Sequence, residues 1–195
     1  MKRTMDIVLS LIGLIVLFPL FLLIAILVMI DDGWPFFFKQ NRLGKDANPF
    51  PMYKFRTMCR NAEQILAENP EIHERVKAGL KVEDDPRLLK FGKLLRKTSL
   101  DELPQLLNVL LGHMSLVGPR PILPLELDTR GDAAELYFRM KPGCAGLWQC
   151  EGRSDTDYET RVRLDEEYYW FTSTRRDIVV LWKTFVAVIT GKGAQ

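Results

Sequence analysis

An uninterrupted apolar segment near the N-terminus limits the folds open to this chain more than any other feature. Residues 7–30 form a run of 24 residues without a charge. A run of that length is typical of a helix in contact with a membrane rather than of a helix in a soluble core. It is also longer than the apolar part of a signal peptide, and no small-residue cleavage site follows it, which argues against a signal peptide.

The segment can either cross the membrane or bend and return to the same side. As a straight helix it reaches roughly 36 Å, enough for the roughly 30 Å hydrocarbon core. However, Pro19 lies at its midpoint, where a proline removes a hydrogen bond and kinks a helix. Basic residues flank both ends, with Lys2 and Arg3 before the segment and a series that begins at Lys39 after it. Because the positive-inside rule places both flanks in the cytoplasm, the pattern favours a re-entrant helix that bends at Phe18 and Pro19.

A second stretch, residues 98–121, begins with an acidic pair and a helix. Its leucines recur with the i, i+3, i+4, i+7 spacing of one helix face, and Gly112 is placed to end that helix. Asp101 and Glu102 fall at the predicted helix start, where free N–H groups and the helix dipole favour ionised carboxylates. Two interpretations of the residues stay open: a capping box from Ser99 to Glu102, or a carboxylate nucleophile beside a metal ligand.

The same stretch ends in a stiff turn around Arg120. Pro119 and Pro121 fix the backbone angle φ on either side of the arginine, so that its guanidinium can take few directions. An arginine held in this way suits bidentate recognition of a phosphate. The acid pair, the helix and the clamped arginine together predict a site that handles a phosphate ester.

The motifs S-L-D-E-L-P-Q and N-V-L-x-G-x-M-S-L-V-G-P-R-P in this stretch resemble the signature of the bacterial sugar transferase family, the monotopic phosphoglycosyl transferases. The resemblance continues through residues 38–58, 85–97 and 141–153 and covers nearly the whole chain. It implies transfer of a sugar 1-phosphate from a UDP-sugar to polyprenyl (undecaprenyl) phosphate with release of UMP. Such a reaction is the first membrane step in the synthesis of exopolysaccharide, capsule, O-antigen or glycoconjugate.

The resemblance also implies a donor and roles for single residues. Residues 146–158 resemble the undecaprenyl-phosphate hexose-1-phosphate transferase branch, which uses UDP-galactose or UDP-glucose; an N-acetylated or diacetamido UDP-sugar is the alternative. Asp101 is the expected nucleophile, which forms a covalent phosphosugar-aspartyl intermediate. Glu102 is the expected ligand of Mg²⁺, a cation that prefers oxygen donors. Arg96 and Arg120 match family positions that contact phosphate. Arg56 and Lys141 are further residues expected to bind the phosphate or the nucleotide sugar, and the strand predicted at residues 52–58 would turn Lys54 and Arg56 to the same side, toward a phosphate.

The pattern along the chain predicts a helix-rich α+β protein in two parts. Residues 1–33 form the re-entrant (monotopic) membrane anchor. Residues 34–195 are expected to form a small α/β domain with interfacial amphipathic helices, and the resemblance implies that this domain is catalytic and lies on the cytoplasmic face of the bacterial inner membrane. Within it, residues 52–58 alternate like a strand. Residues 86–97 are predicted to form a basic amphipathic helix, which lies on the membrane surface or packs on its own domain.

The remaining elements are predicted from local periodicity. Residues 48–51 are expected to form a rigid loop, residues 125–140 and 160–171 to form helices, and residues 146–149 to form a short strand. Residues 177–189 are strongly apolar but too few to span a bilayer. A core strand pair, a core helix and an oligomer contact, as in a homodimer, all remain open for that segment.

Charge and cysteine content narrow the choice of partners. Residues 1–100 carry 16 Lys/Arg and 11 Asp/Glu, a net +5, whereas residues 101–195 carry 11 and 14, a net −3. The first half is therefore expected to face anionic membrane lipid. Three cysteines without C-x-x-C spacing argue against a disulfide framework or a zinc site. The competing class, a non-catalytic membrane-anchored lipid-binding protein, has no use for the acid pair and clamped arginine. No nucleic-acid partner is expected, since the basic residues follow a lipid anchor.

Overall fold

The apolar N-terminal segment folds into two helices that meet at a bend. The structure is a computed structural model that describes residues 1–77, 82, 84–131, 133–151 and 156–190. Helix α1 (Lys2–Val16) and helix α2 (Phe18–Asp32) are bent by 61° relative to each other, and Leu17 lies between them. Among the described residues no single helix has the length and apolar character needed to cross a membrane, but this bent pair together has both. The break thus falls just before Phe18 and Pro19, which open α2.

The position of the break follows from the chemistry of proline. Pro19 has no N–H to offer the carbonyl of Ile15, and it fits the first turn of a helix, where donors have no intrahelical partner. Backbone N–H groups at the break donate instead to the carbonyl oxygens of Gly13 and Ile15. The bend therefore leaves these carbonyl groups satisfied, as an apolar environment requires.

A β-hairpin follows the helix pair. Strands β1 (Phe37–Leu43) and β2 (Pro49–Phe55) are antiparallel, with Phe37 opposite Phe55. The rigid loop predicted at residues 48–51 is wrong, because β2 already begins at Pro49. A two-stranded sheet consists of edges alone, and an edge tolerates a proline that cannot donate to the ladder. The strand predicted at residues 52–58 ends at Phe55, so that Arg56 lies beyond it.

Short helices follow the hairpin, and one of them is shorter than its sequence pattern predicts. These helices are α3 (Ala62–Glu68), α4 (Pro70–Lys77) and α5 (Gly92–Lys97). The helix predicted over residues 86–97 is wrong in its first half, where Leu88 forms a β-bridge with Met58. Gly92 packs directly on the Thr57 carbonyl, and a Cβ at this position would lie 2.2 Å from that oxygen. This close approach fixes where α5 begins.

The acid pair lies one turn ahead of the helix that the leucine spacing predicts. Asp101 belongs to a 3₁₀ turn at Leu100–Glu102, and α6 spans Gln105–Leu111. Gly112 ends α6 with a φ of 85°, as predicted. The capping-box interpretation is wrong, because Ser99 makes no side-chain capping hydrogen bond within this described turn.

In the described part of the chain after α6, a parallel strand pair and five α-helices follow. Strand β3 (Ser115–Val117) pairs with β4 (Gly143–Ala145), and the helices are α7 (Leu127–Arg130), α8 (Ala133–Phe138), α9 (Leu147–Glu151), α10 (Tyr158–Trp170) and α11 (Thr174–Thr190). The predicted helix at residues 125–140 is interrupted at Gly131. The predicted strand at residues 146–149 is wrong, because β4 ends at Ala145 and a helix follows. The helix predicted at residues 160–171 is confirmed by α10. Residues 177–189 lie within α11, which excludes a strand pair for that segment.

The helix-rich α+β class is confirmed, and the apolar segment shares its core with the rest of the chain. Ile24, Ala25 and Val28 of α2 are buried against Phe55 and Leu95. A second cluster gathers buried side chains of β2, α6, β3, β4, α9, α10 and α11. Its aromatic members are Phe50, Trp148 and Tyr168. The two clusters hold the turn of the acid pair between the hairpin and α6.

Candidate active site

The acid pair faces a lysine of the hairpin. Asp101 is 7% exposed, and Glu102 lies partly buried beside it. The Nζ atom of Lys54 on β2 donates to Oε1 of Glu102 at 2.5 Å. A salt bridge this short, in a partly buried setting, keeps Glu102 ionised and fixes its direction.

A buried asparagine brings the hairpin and α6 into this register. The side chain of Asn108 accepts the Tyr53 N–H at 2.9 Å and donates to the Pro51 carbonyl at 2.7 Å. Its amide thus replaces two backbone hydrogen bonds that this part of β2 would otherwise lack. Since Lys54 follows Tyr53 directly, the brace places its ammonium group beside the start of α6.

The two adjacent acids have different proton affinities. Burial is the largest influence on Asp101 and raises its pKa to about 6, with Glu102 adding to the rise and Lys54 and Arg96 opposing it. Burial also acts to raise the pKa of Glu102, but Lys54, Arg120 and Gln105 outweigh it, and the pKa falls below its ordinary value. An environment that separates the proton affinities of two carboxyl groups is typical of sites where they perform different tasks.

Arg96 supports the acid pair from α5. Its Nε donates to the Thr57 hydroxyl at 3.0 Å, and its guanidinium attracts the charge on Asp101. Burial lowers the pKa of Arg96, which its attraction to Asp101 and Asp85 opposes. Arg96, one of the predicted phosphate-binding residues, therefore lies close enough to Asp101 to act on its charge.

A cleft lined by Glu102 is rich in positive charge, and Asp101 adjoins Glu102 in the chain but is not among the described lining residues. The polar lining residues of the cleft are Arg42, Lys54, Glu102, Gln105, Arg120 and Gln149. Three cations thus face one carboxylate in this lining. Burial and the neighbouring Arg120 both lower the pKa of Arg42, while Glu126 and Glu102 raise it. Two guanidinium groups that repel each other in this way bind a phosphate or diphosphate favourably, because the anion cancels the repulsion.

The turn that carries Arg120 is rigid. The guanidinium lies 5.7 Å from the centre of the Trp148 ring, and that of Arg161 lies 4.7 Å from the same ring. The backbone beneath is packed without space, since a Cβ at Gly143 would lie 2.1 Å from the Gly118 nitrogen. The clamped arginine predicted from the two prolines therefore faces the cleft on a fixed support.

The structure places the other two predicted phosphate ligands outside this group. Arg56 forms an ion pair with Asp32 at the end of α2 and donates to the carbonyl of Gly33 at 2.6 Å. Lys141 lies beside Gly112, at the far end of α6 from the acid pair. The prediction for Arg56 assumed that the strand continues past Phe55, and the strand ends there.

Arg42 is the cleft residue that sequence reasoning missed. It is only 7% exposed, and it donates to the carbonyl of Pro121 at 3.2 Å and to Gln40 at 3.0 Å. In the sequence it counts as one of several basic residues after the apolar segment. Lys54 was expected to turn toward a phosphate together with Arg56, and only Lys54 lies at the cleft.

The donor atoms at the cleft fit a magnesium ion. Among the described residues no cluster of three or more His, Cys, Asp or Glu side chains forms a metal cage. Mg²⁺ does not require one, because it keeps several waters and usually takes one or two carboxylates together with substrate phosphates. Glu102 supplies hard carboxylate oxygens in the cleft lining, and Gln105 carries an amide oxygen in the same lining.

Sequence comparison identifies the class of protein that this site serves. Residues 1–191 match the bacterial sugar transferase family, to which the chain therefore belongs. The predicted resemblance is confirmed, and the chain is an enzyme, a sugar transferase.

Its relatives include exopolysaccharide and undecaprenyl-phosphate proteins. The chain is 44% identical to the exopolysaccharide production protein ExoY of Sinorhizobium fredii, over 99% of this chain and 87% of that protein. It is 43% identical to the undecaprenyl-phosphate galactose phosphotransferase of Salmonella typhimurium, over 100% of this chain and 41% of that protein. It is 34% identical to the UDP-N-acetylgalactosamine-undecaprenyl-phosphate N-acetylgalactosaminephosphotransferase of Aeromonas hydrophila, over 100% of this chain and 45% of that protein. The chain thus spans less than half the length of the latter two.

Proposed function

We propose that this enzyme transfers a sugar 1-phosphate from a UDP-sugar to undecaprenyl phosphate and releases UMP. The observation that carries the proposal is that Asp101 and Glu102 differ in proton affinity and that Glu102, next to Asp101 in the chain, lines a cleft with three cations. Both substrates are anions, and the main barrier to their reaction is that like charges must meet. The names of the Salmonella relative and of the UDP-galactose-lipid carrier transferase of Erwinia amylovora support the same reaction.

In the first step, an oxygen of the Asp101 carboxylate attacks the sugar-bearing phosphorus of the donor. The bond from that phosphorus to the UMP oxygen breaks, and UMP leaves with the bonding electrons. The product is an acyl phosphate between Asp101 and the sugar phosphate. Lys54, Arg42 and Arg120 neutralise the donor phosphates and hold them for attack, which supplies most of the catalysis in phosphoryl transfer.

In the second step, a phosphate oxygen of the lipid acceptor attacks the same phosphorus. The bond to Asp101 breaks, the carboxylate is restored, and the sugar diphospholipid is released. Arg96, which attracts the Asp101 charge, stabilises the carboxylate as it leaves. Asp101 thus serves as the nucleophile in the first step and as the leaving group in the second.

Magnesium is the cofactor that the donor set suits. Glu102 and Gln105 would hold it, and when bound it neutralises charge on phosphate oxygens. Lys54 supports this role, since its salt bridge lowers the pKa of Glu102 and keeps this carboxylate ionised as a ligand.

We also propose that α1 and α2 form a re-entrant anchor at the cytoplasmic face of the bacterial inner membrane. Lys2 at the start of α1 pairs with Asp177, and Asp32 at the end of α2 pairs with Arg56. Both ends of the bent pair are thus bound to one domain, whereas a spanning helix would have its ends on opposite sides. Large apolar side chains are exposed on α1, α2, α5 and α11, among them Ile12, Val16, Phe18, Leu22, Leu94, Trp182 and Phe185.

Galactose or glucose is the proposed sugar. The relatives named for galactose are 41% to 43% identical to this chain, whereas the relative named for N-acetylgalactosamine is 34% identical. An N-acetylated donor remains the second candidate, because that relative matches the full length of this chain.

A panel of UDP-sugars tests the reaction and the donor together. Purified enzyme is mixed with undecaprenyl phosphate, Mg²⁺ and one UDP-sugar at a time, and released UMP is measured. We expect release from UDP-galactose or UDP-glucose that depends on both the lipid phosphate and Mg²⁺. Binding to anionic vesicles without UMP release from any donor would support the non-catalytic class instead and overturn the proposal.

A further inference from the structure

The first two turns of α1 make polar contacts with every residue of β3. The carboxylate of Asp6 accepts the hydroxyl of Ser115 at 2.9 Å and the backbone N–H of Leu116 at 3.0 Å. The ammonium group of Lys2 donates to the carbonyl of Val117 at 2.9 Å. These contacts join residues more than one hundred positions apart in the chain, and they lie immediately before the turn that carries Arg120.

Lys2 is held in place by a buried pair on α10 and α11. Its other two contacts are to Asp177 at 2.7 Å and to the Tyr168 hydroxyl at 3.0 Å, so that all three ammonium donors have acceptors. Asp177 is 1% exposed and also accepts the Tyr168 hydroxyl at 2.6 Å. A buried carboxylate without its cation is costly, so this pair keeps Lys2 on the Val117 carbonyl.

The backbone between Val117 and Arg120 can transmit a displacement. The Gly118 N–H donates to the Ala145 carbonyl at 2.9 Å, and the Pro119 carbonyl accepts the Gly143 N–H at 2.8 Å. The close packing of Gly118 on β4 and the prolines on either side of Arg120 leave few backbone angles free to absorb a shift. A change in the position of β3 therefore changes the direction of the guanidinium.

We propose that Lys2 and Asp6 are positioning residues for Arg120, through which the membrane helix sets the geometry of the phosphate clamp. This inference rests on the proposed function, in which Arg120 holds the donor phosphates. Neither Lys2 nor Asp6 lines the described cleft, so both act through β3. The charge of Lys2 in the sequence indicates only that the start of α1 lies on the cytoplasmic side, and Lys2 thus also orients a residue of the site.

The test compares Lys2→Met with the matched control Arg3→Met. Arg3 is the next residue of α1 and also donates to backbone carbonyls, but to Val109 and Leu110 at the end of α6 rather than to β3. We expect Lys2→Met to lower kcat/KM for the UDP-sugar about tenfold, since small displacements of a positioning group are costly. Arg3→Met should change kcat/KM by less than about twofold, and Lys2→Arg should recover only part of the loss, because it keeps the charge but replaces the compact ammonium with a planar guanidinium.

The same substitutions in an Arg120→Lys background separate positioning from a general loss of stability. If Lys2 acts through Arg120, then Lys2→Met adds less than about twofold to the loss already caused by Arg120→Lys. The proposal would be overturned if the losses of kcat/KM from Lys2→Met and Arg120→Lys multiply in the double variant, or if Arg3→Met loses as much as Lys2→Met. Tyr168→Phe provides a second variant that removes one hydroxyl from the same network, and its loss should likewise vanish in the Arg120→Lys background.

One measurement does not depend on turnover. The NMR resonance of the Arg120 Nε–H reports the environment of the guanidinium in substrate-free enzyme. It should shift in Lys2→Met and Tyr168→Phe and stay in place in Arg3→Met. Wild-type enzyme that releases no UMP would refute the proposed function while the resonance still tests the positioning role, and an unshifted resonance in Lys2→Met would refute that role alone.

Discussion

Asp6 and Asp101 are both buried aspartates, but their carboxylates lie in different environments. Asp6 is 2% exposed, and its two oxygens accept the Ser115 hydroxyl and the Leu116 N–H. Asp101 is 7% exposed, and burial is the largest influence on it, strong enough to raise its pKa to about 6. Buried polar groups in proteins are usually hydrogen-bonded. A carboxylate whose oxygens accept hydrogen bonds from the protein stabilises the fold, whereas a carboxylate whose burial is only partly compensated remains available for reaction.

The largest effect that sharpens this comparison is expected from Asp101→Asn. The amide cannot form the acyl phosphate, so turnover should fall by roughly 10⁴-fold or more, as for other nucleophiles, and no phosphosugar adduct should form on residue 101. The measurement is UMP release combined with mass spectrometry of enzyme incubated with donor alone. Turnover near the wild-type rate in this variant would remove Asp101 from the nucleophile role.

The same substitution is expected to raise stability at alkaline pH. With a folded pKa of about 6, the native state binds more protons than the unfolded state between roughly pH 4 and 6, so the free energy of unfolding falls as pH rises through that window. Above it, the ionised Asp101 costs up to about 3 kcal/mol, which the neutral amide avoids. We therefore expect Asp101→Asn to melt above wild type at pH 8 and at the same temperature below pH 4, in metal-free buffer. A melting temperature lower than that of wild type at pH 8 would mean that the carboxylate is well compensated.

A third prediction concerns Lys54, which forms the salt bridge to Glu102. Lys54→Met removes the salt bridge to Glu102 and one cation of the cleft, and kcat/KM for the donor should fall about 10²-fold, as for loss of one preorganised donor. The matched control is Lys39→Met on β1 of the same hairpin. Lys39 lies 5.5 Å from the centre of the Tyr53 ring, and its loss should leave the kinetics close to wild type. Equal losses in the two variants would indicate a general effect of charge at the hairpin.

Local chemistry made part of this site predictable. The acid pair, the prolines around Arg120 and the end of α6 at Gly112 are encoded within a few residues, and the helix break adjoins Pro19. Each of these features depends on backbone angles or on neighbours along the chain. The family resemblance added roles for residues that local chemistry alone left between capping and catalysis.

The contacts that complete the site depend on distant parts of the chain. Arg42 and Lys54 reach the cleft because Asn108 fixes the hairpin on α6, and no spacing within residues 37–55 encodes that contact. The helix predicted at residues 86–97 failed because the β-bridge of Leu88 overrides helical periodicity. Tertiary contacts of this kind routinely outweigh local propensity.

The smallest of the expected effects tests the other half of the comparison. Asp6→Asn keeps the shape of the side chain but leaves one oxygen for two donors, the Ser115 hydroxyl and the Leu116 N–H. An unsatisfied buried donor costs about 2 kcal/mol, which corresponds to a melting temperature roughly 4–8 °C lower for a chain of this size. Ser115→Ala removes one of the two donors, so the double variant should be less destabilised than the sum of the single variants. Additive losses, or an unchanged melting temperature in Asp6→Asn, would show that Asp6 is not the satisfied structural acid, and the contrast with Asp101 would then lose its basis.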